Sequence, residues 1–188
     1  MFPTLEQLLS MDTQDVFDHV ARHLLRQGRR CIGPEGYCRY RGIYDPSACA
    51  VGALIPDSLY EHWLEDNSLR GLIVDLQVHG NGQHRMLAGF LGQHYPLLLA
   101  LQALHDNATD CTTEWPRGLR GIAHALGLSA RVVDGEARAE PAQPAGGGEI
   151  AFELFLVRIR MQAETCLSAY IVPSVPLASN DAVFHVLA

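Results

Sequence analysis

Between Asp134 and Glu149 the chain carries no large apolar residue. It holds two prolines, the run Gly146-Gly147-Gly148, alanines and charged side chains. A segment of that kind has nothing to bury and reads as a linker or long exposed loop. It divides the 188 residues into a block at 1–133, a linker at 134–149 and a small tail at 150–188.

Hydrophobic spacing before the linker is helical. Thr4-Leu5-Glu6-Gln7 has the form of a capping box for a short helix ending near Ser10. Asp12 or Thr13 caps a longer one, with Val16, Phe17, Val20, Ala21, Leu24 and Leu25 on one face and Gly28 as its stop. Leu59-Tyr60 followed by Trp63-Leu64 predicts a short helix. Ser68 caps the stripe Leu69, Leu72, Ile73 and Leu76. A turn at 79–82 precedes the stripe Met86, Leu87, Phe90 and Leu91, and Pro96 suits the first turn of the next helix. The last helix of the block starts near Thr113, turns Leu119, Ile122, Ala123 and Leu126 inward, and ends at a Schellman stop, Gly127-Leu128.

Beyond the linker the pattern changes. Ile150 to Met161 and Glu164 to Val172 are rich in β-branched residues and predict two strands that pair as a hairpin. Ser179 or Asn180 caps a final helix from Asp181, with a strand as the alternative for this apolar run. The expected class is therefore α+β, a mainly helical N-terminal block followed by a small strand-strand-helix unit. Two strands are too few to stand alone, so the helical block, a second copy or a partner must cover them; a second copy or a partner is the expectation, with homodimer formation through residues 150–188 as one arrangement.

The chain's most unusual stretch runs from Cys38 to Asp57, where two each of cysteine, arginine, tyrosine, proline and glycine share one loop. All fourteen basic residues are arginine. Without lysine, Walker-loop phosphate binding and Schiff-base chemistry are excluded. A GC-rich coding sequence accounts for the bias. The formal net charge of −7 argues against direct nucleic-acid binding. The acids are too scattered to imitate a phosphate backbone. The N-terminus lacks the pattern of a secretion signal, and the longest apolar run, Tyr95 to Leu101, is too short to span a bilayer. Five cysteines then read as reduced thiols, and the expected location is cytoplasmic.

Four groups of residues are candidates for chemistry. Arg39 and Arg41 alternate with Tyr37, Tyr40 and Tyr44, and Arg39, Tyr40, Arg41 and Tyr44 form the first choice for a binding site, since the guanidinium fork fits planar anions; the competing reading has the arginines bond backbone carbonyls and fix the loop. His105 and Asp106 could pair for acid–base work, set against a simple helix-terminal role. Cys31, Cys38, Cys49 and Cys111 could ligate zinc, though no closely spaced Cys-x-x-Cys knuckle is present, and no cofactor is the favoured expectation. His19 and His23, four apart, read as solvated surface histidines because Val20 stands where a zincin has glutamate.

The segments Val16 to Asp57, Leu101 to Asp106 and Trp115 to Leu128 resemble a group of small phage- and prophage-encoded proteins. The resemblance rests on Cys38-Arg39-Tyr40-Arg41-Gly42 and on Cys49-Ala50-Val51-Gly52-Ala53-Leu54-Ile55-Pro56-Asp57. It implies a mobile-element setting and brings no catalytic residue with it. The expected function is a non-enzymatic protein that binds a host or phage protein, such as a component of a host defence system like a CRISPR effector. The alternatives are a small hydrolase or nucleotide-modifying enzyme built on the Arg39/Arg41 loop with His105 and Asp106, and a zinc-stabilised interaction domain.

Overall fold

Asp12 accepts a hydrogen bond from the Asp15 amide while the Asp15 carboxylate accepts one from the Asp12 amide, a reciprocal cap that starts the longest apolar stripe of the chain. That helix ends at Gly28, whose φ of +63° is readily reached by glycine. In a computed structural model, which describes residues 2–137, it is the second of seven α-helices. These are α1 (Leu5–Leu9), α2 (Thr13–Gln27), α3 (Leu69–Val78), α4 (Gly82–Gln93), α5 (Tyr95–Asn107), α6 (Cys111–Ala125) and α7 (Arg131–Ala137). Thr4, Ser68, Asn81 and Asp110 supply side-chain caps to α1, α3, α4 and α6. Gly127, at φ +66°, ends α6 with paired bonds from Leu128 N–H to Ala123 O and from Gly127 N–H to His124 O, a Schellman motif.

The core lies on α2. Val16, Phe17, Val20, Ala21 and Leu24 are fully buried, and α2 packs against α5, α6 and α7. Trp115, Leu119 and Ile122 of α6 and Val133 of α7 meet that surface. The pair α3–α4 packs beside it, with α1 against α4.

The α+β expectation is corrected. Among the described residues there is no strand, only the isolated bridges Ile32–Cys38 and Arg41–Ala48, and the core is built from the helices and the segment between α2 and α3. That class rested on the β-branched runs at 150–161 and 164–172. Those runs, the helix or strand after Asp181 and the dimer contact placed on them all lie outside the described residues. Two smaller differences are physical. The Leu59–Leu64 segment forms only a 3-10 turn at His62–Leu64, because its apolar pattern is shorter than a helical nucleus needs. Met86 and Leu126 are half-exposed at the edges of their stripes. No helix among the described residues is long and apolar enough to cross a membrane.

Candidate functional site: the stapled loop and its two cavities

The segment between α2 and α3 has almost no regular structure, yet its backbone is held by side chains from three directions. Backbone bonds make two small hairpins, Arg39 N–H to Cys31 O at 3.0 Å and Cys49 N–H to Tyr40 O at 3.2 Å. From α2, Gln27 both accepts from Ala48 N–H and donates to Ala48 O, while the Nε2 atoms of His19 and His23 lie 3.2 and 3.1 Å from the carbonyls of Ala53 and Ala48. From α5, His105 Nε2 accepts from Cys31 N–H and Gln102 accepts from Val51 N–H. Beneath the loop, the buried Glu65 carboxylate accepts from Tyr40 N–H, Arg41 N–H and the Tyr60 hydroxyl at 2.9, 3.0 and 2.6 Å. Buried backbone donors are thus satisfied without a sheet.

Two of the four binding candidates turn inward. Tyr40 is buried and its hydroxyl donates to Asn67 O. Arg41 is buried too: it donates to Ile55 O, pairs with Asp57 and lies under the Phe2 ring. These are staples. Arg39 is mostly covered and faces Glu65 at 3.9 Å. Tyr44 alone among the four stands clear, 89% exposed, and Tyr37 accompanies it at 76%. The alternation Arg-Tyr-Arg therefore points sites inward, and the outward tyrosines are its neighbours. Sequence reasoning noted Tyr37 beside the arginines without separating it from Tyr40, because burial is decided by Glu65 and Asn67, residues distant in sequence.

His105 and Asp106 do come together with Cys38. One ligand-type atom of each lies within 4.8 Å of the others, and a cavity of about 330 Å³ opens beside Cys38, Arg39, Glu65, Asp66 and Asp106. The order of the contacts decides what the group can do. Asp106 sits at its centre, accepting from His105 Nδ1 at 2.8 Å, from Gln102 Nε2 at 2.8 Å and from the Cys38 thiol. Burial alone would raise the Asp106 carboxyl, yet these bonds hold it below its ordinary value. The same neighbour, added to burial, pushes the Cys38 thiol up to about 12. A working nucleophile needs its base next to the sulfur. Here a carboxylate takes that place, and His105 is fully buried, stacked on Trp115 with ring centroids 5.7 Å apart.

The imidazole also has the wrong hand free for a metal. Its Nε2 receives the Cys31 amide proton, so Nδ1 carries the ring proton and donates to Asp106. Ligation through Nδ1 would force a proton onto Nε2, against the Cys31 donor. Metal-bound histidines normally give that outer N–H to an acceptor. A metal ion held by Cys38, His105 and Asp106 would therefore require His105 to take the other tautomer and give up the Cys31 bond. The other candidate ligands stand outside the group: Cys31 accepts from the Ser47 hydroxyl, Cys49 accepts from Gly52 N–H, and Cys111 begins α6. Burial raises all three thiols.

No protein-family model, no curated protein and no solved structure matches this chain.

His19 and His23 differ from the sequence reading in a useful way. Each is only partly exposed, with its ring held against a loop carbonyl. The reason they escape the apolar stripe is that they face polar loop backbone instead of solvent. Burial lowers both pKa values below 6.5, although the carbonyl bonds oppose it, and burial lowers that of His94 in the same way, opposed by Asp12. His94 Nε2 also lacks an acceptor among the described residues. Folded protein thus binds fewer protons than unfolded chain once pH drops below 6.5, and this contribution to stability, complete above that value, is lost as the pH falls. Melting followed by circular dichroism from pH 7.5 to 5 is expected to show a falling midpoint that begins near 6.5, before the carboxylates titrate. A flat midpoint down to pH 5 contradicts the assignment.

Proposed function

We propose that this chain is a non-enzymatic protein-binding protein whose contact surface is the stapled loop. The observation that carries the reading is the division of labour within that loop: Tyr40 and Arg41 are buried anchors, while Ile32, Tyr37, Ile43 and Tyr44 are exposed. Tyrosine offers a large amphipathic surface with few rotors, and a loop fixed before binding loses little entropy on contact. The fully buried His105 and the raised Cys38 thiol give no support to the hydrolase reading. The resemblance to phage- and prophage-encoded proteins makes a host protein in the bacterial cytoplasm the class of partner, with defence components such as CRISPR effectors foremost.

The test compares tagged wild-type chain with a Tyr37→Ala/Tyr44→Ala double variant in bacterial host cells. The wild type is expected to retain a partner through washing, and the variant to lose at least about tenfold of it, because truncating central aromatic contacts costs about 2 kcal/mol or more. Its melting should be unchanged, since neither side chain is in the core. Equal retention by both proteins, or nothing above background with either, sinks the proposal.

A further inference from the structure

A second cavity, of about 480 Å³, lies on the other side of the loop against α2. Its charged lining is wholly cationic. Arg22 and Arg26 of α2 and Arg29 beyond the Gly28 turn face it, joined by His19 and His23. The four α2 residues follow the spacing i, i+3, i+4 and i+7, which sets them on one side of the helix. No carboxylate lines the space; Asp45 pairs with Arg29 at 2.9 Å in an exposed contact.

This arrangement is unexpected for a chain with 21 acidic residues and a net charge of −7. Chance interspersion would place acids among those arginines. Grouped like charges repel one another and destabilise an empty site, whereas a bound anion relieves that repulsion. Arg22 has no ion-pair partner among the described residues. Both imidazoles donate from Nε2 to the Ala53 and Ala48 carbonyls and burial favours their neutral form, so the arginines carry the cavity's charge. The guanidinium fork matches phosphate oxygens in pairs. Phe2 and Pro46 add apolar wall, and the volume is that of a small-molecule site. We propose that this cavity binds a small phosphate-bearing ligand, its phosphate held by Arg22 and the remainder lying against Phe2 and Pro46.

Neither Tyr37 nor Tyr44 lines the cavity, so loss of ligand binding and loss of partner binding are distinguishable outcomes. The experiment is calorimetric titration of the full chain, in phosphate-free buffer at low salt, with AMP and in parallel with inorganic phosphate. AMP is expected to bind saturably at one site with a Kd below about 1 mM. Weaker binding of inorganic phosphate by about tenfold assigns a contribution to the apolar wall, and equal binding confines recognition to the phosphate; both support the site. Arg22→Glu should weaken AMP binding by at least about tenfold, while Arg70→Glu on α3 leaves it unchanged. Should Arg22→Glu fail to fold, Arg22→Gln serves, with the same direction expected. The Tyr37→Ala/Tyr44→Ala variant should bind AMP normally. Absence of saturable heat from either probe up to about 10 mM, or AMP affinity indifferent to Arg22, overturns the proposal.

Discussion

Glu65→Ala is expected to lower stability by about 3–5 kcal/mol, the usual cost of removing one partner from a buried charged network. The Glu65 side chain is only 2% exposed and sits opposite Arg39. Its removal leaves the amides of Tyr40 and Arg41 and the hydroxyl of Tyr60 without an acceptor in a place water does not readily reach. Each such orphan costs about 1–3 kcal/mol. Glu65→Gln should fall between, because its amide nitrogen turns a donor towards one of these donors. Urea unfolding of the three proteins measures the series. A midpoint for Glu65→Ala within about 1 kcal/mol of wild type would show that the loop relaxes freely, and the account of it as a rigid platform would be lost.

Gly52→Ala is expected to act as strongly for a different reason. A β-carbon at position 52 would fall on the Tyr40 carbonyl oxygen and stand 2.9 Å from Tyr40 Cα. Neither neighbour is a side chain that can swing away. The Tyr40 oxygen also receives the Cys49 amide, so moving it breaks a bond of the hairpin. Overpacking ordinarily costs about 1–3 kcal/mol, and a clash with backbone belongs at the upper end or beyond. Gly89, in the exposed middle of α4, has nothing within 4 Å of its missing β-carbon. Gly89→Ala should therefore raise stability by about 0.5–1 kcal/mol, and parallel melts of the two variants check the contrast. Equal effects at the two sites would refute the close approach at Gly52.

The helices were legible because their signals are local. Thr4 with Gln7, Asp12 before the Val16 stripe, Ser68, Asn81 in its turn and Gly127-Leu128 each fix an end within a few residues of sequence. The loop was legible only as an anomaly. What Arg41 and Tyr40 do depends on Asp57, Asn67 and Glu65, and what His105 does depends on Cys31, 74 residues away. His105 and Asp106 are neighbours in sequence, but the chemistry of the pair turns on which imidazole nitrogen meets an amide. The cationic cavity illustrates the same limit. His19 and His23 were seen at helical spacing, whereas their use depends on Ala48, Ala53 and Pro46 arriving from the loop. The α+β class rested on strand propensity at 150–172, outside the described residues, whereas the described residues build their core without a strand.

The position of α2 also dictates when the molecule can assemble. Its apolar face is covered by α5, α6 and α7, and Gln14 exchanges two hydrogen bonds with the Ser129 backbone just before α7 begins. A ribosome that has released only the first hundred residues would present Val16, Phe17, Val20 and Leu24 to the cell with much of their final cover still unmade. The first long helix must wait for the last one. Folding is thus postponed towards the end of translation of the described region, and during that interval the growing chain is a substrate for chaperones that hold exposed apolar helices.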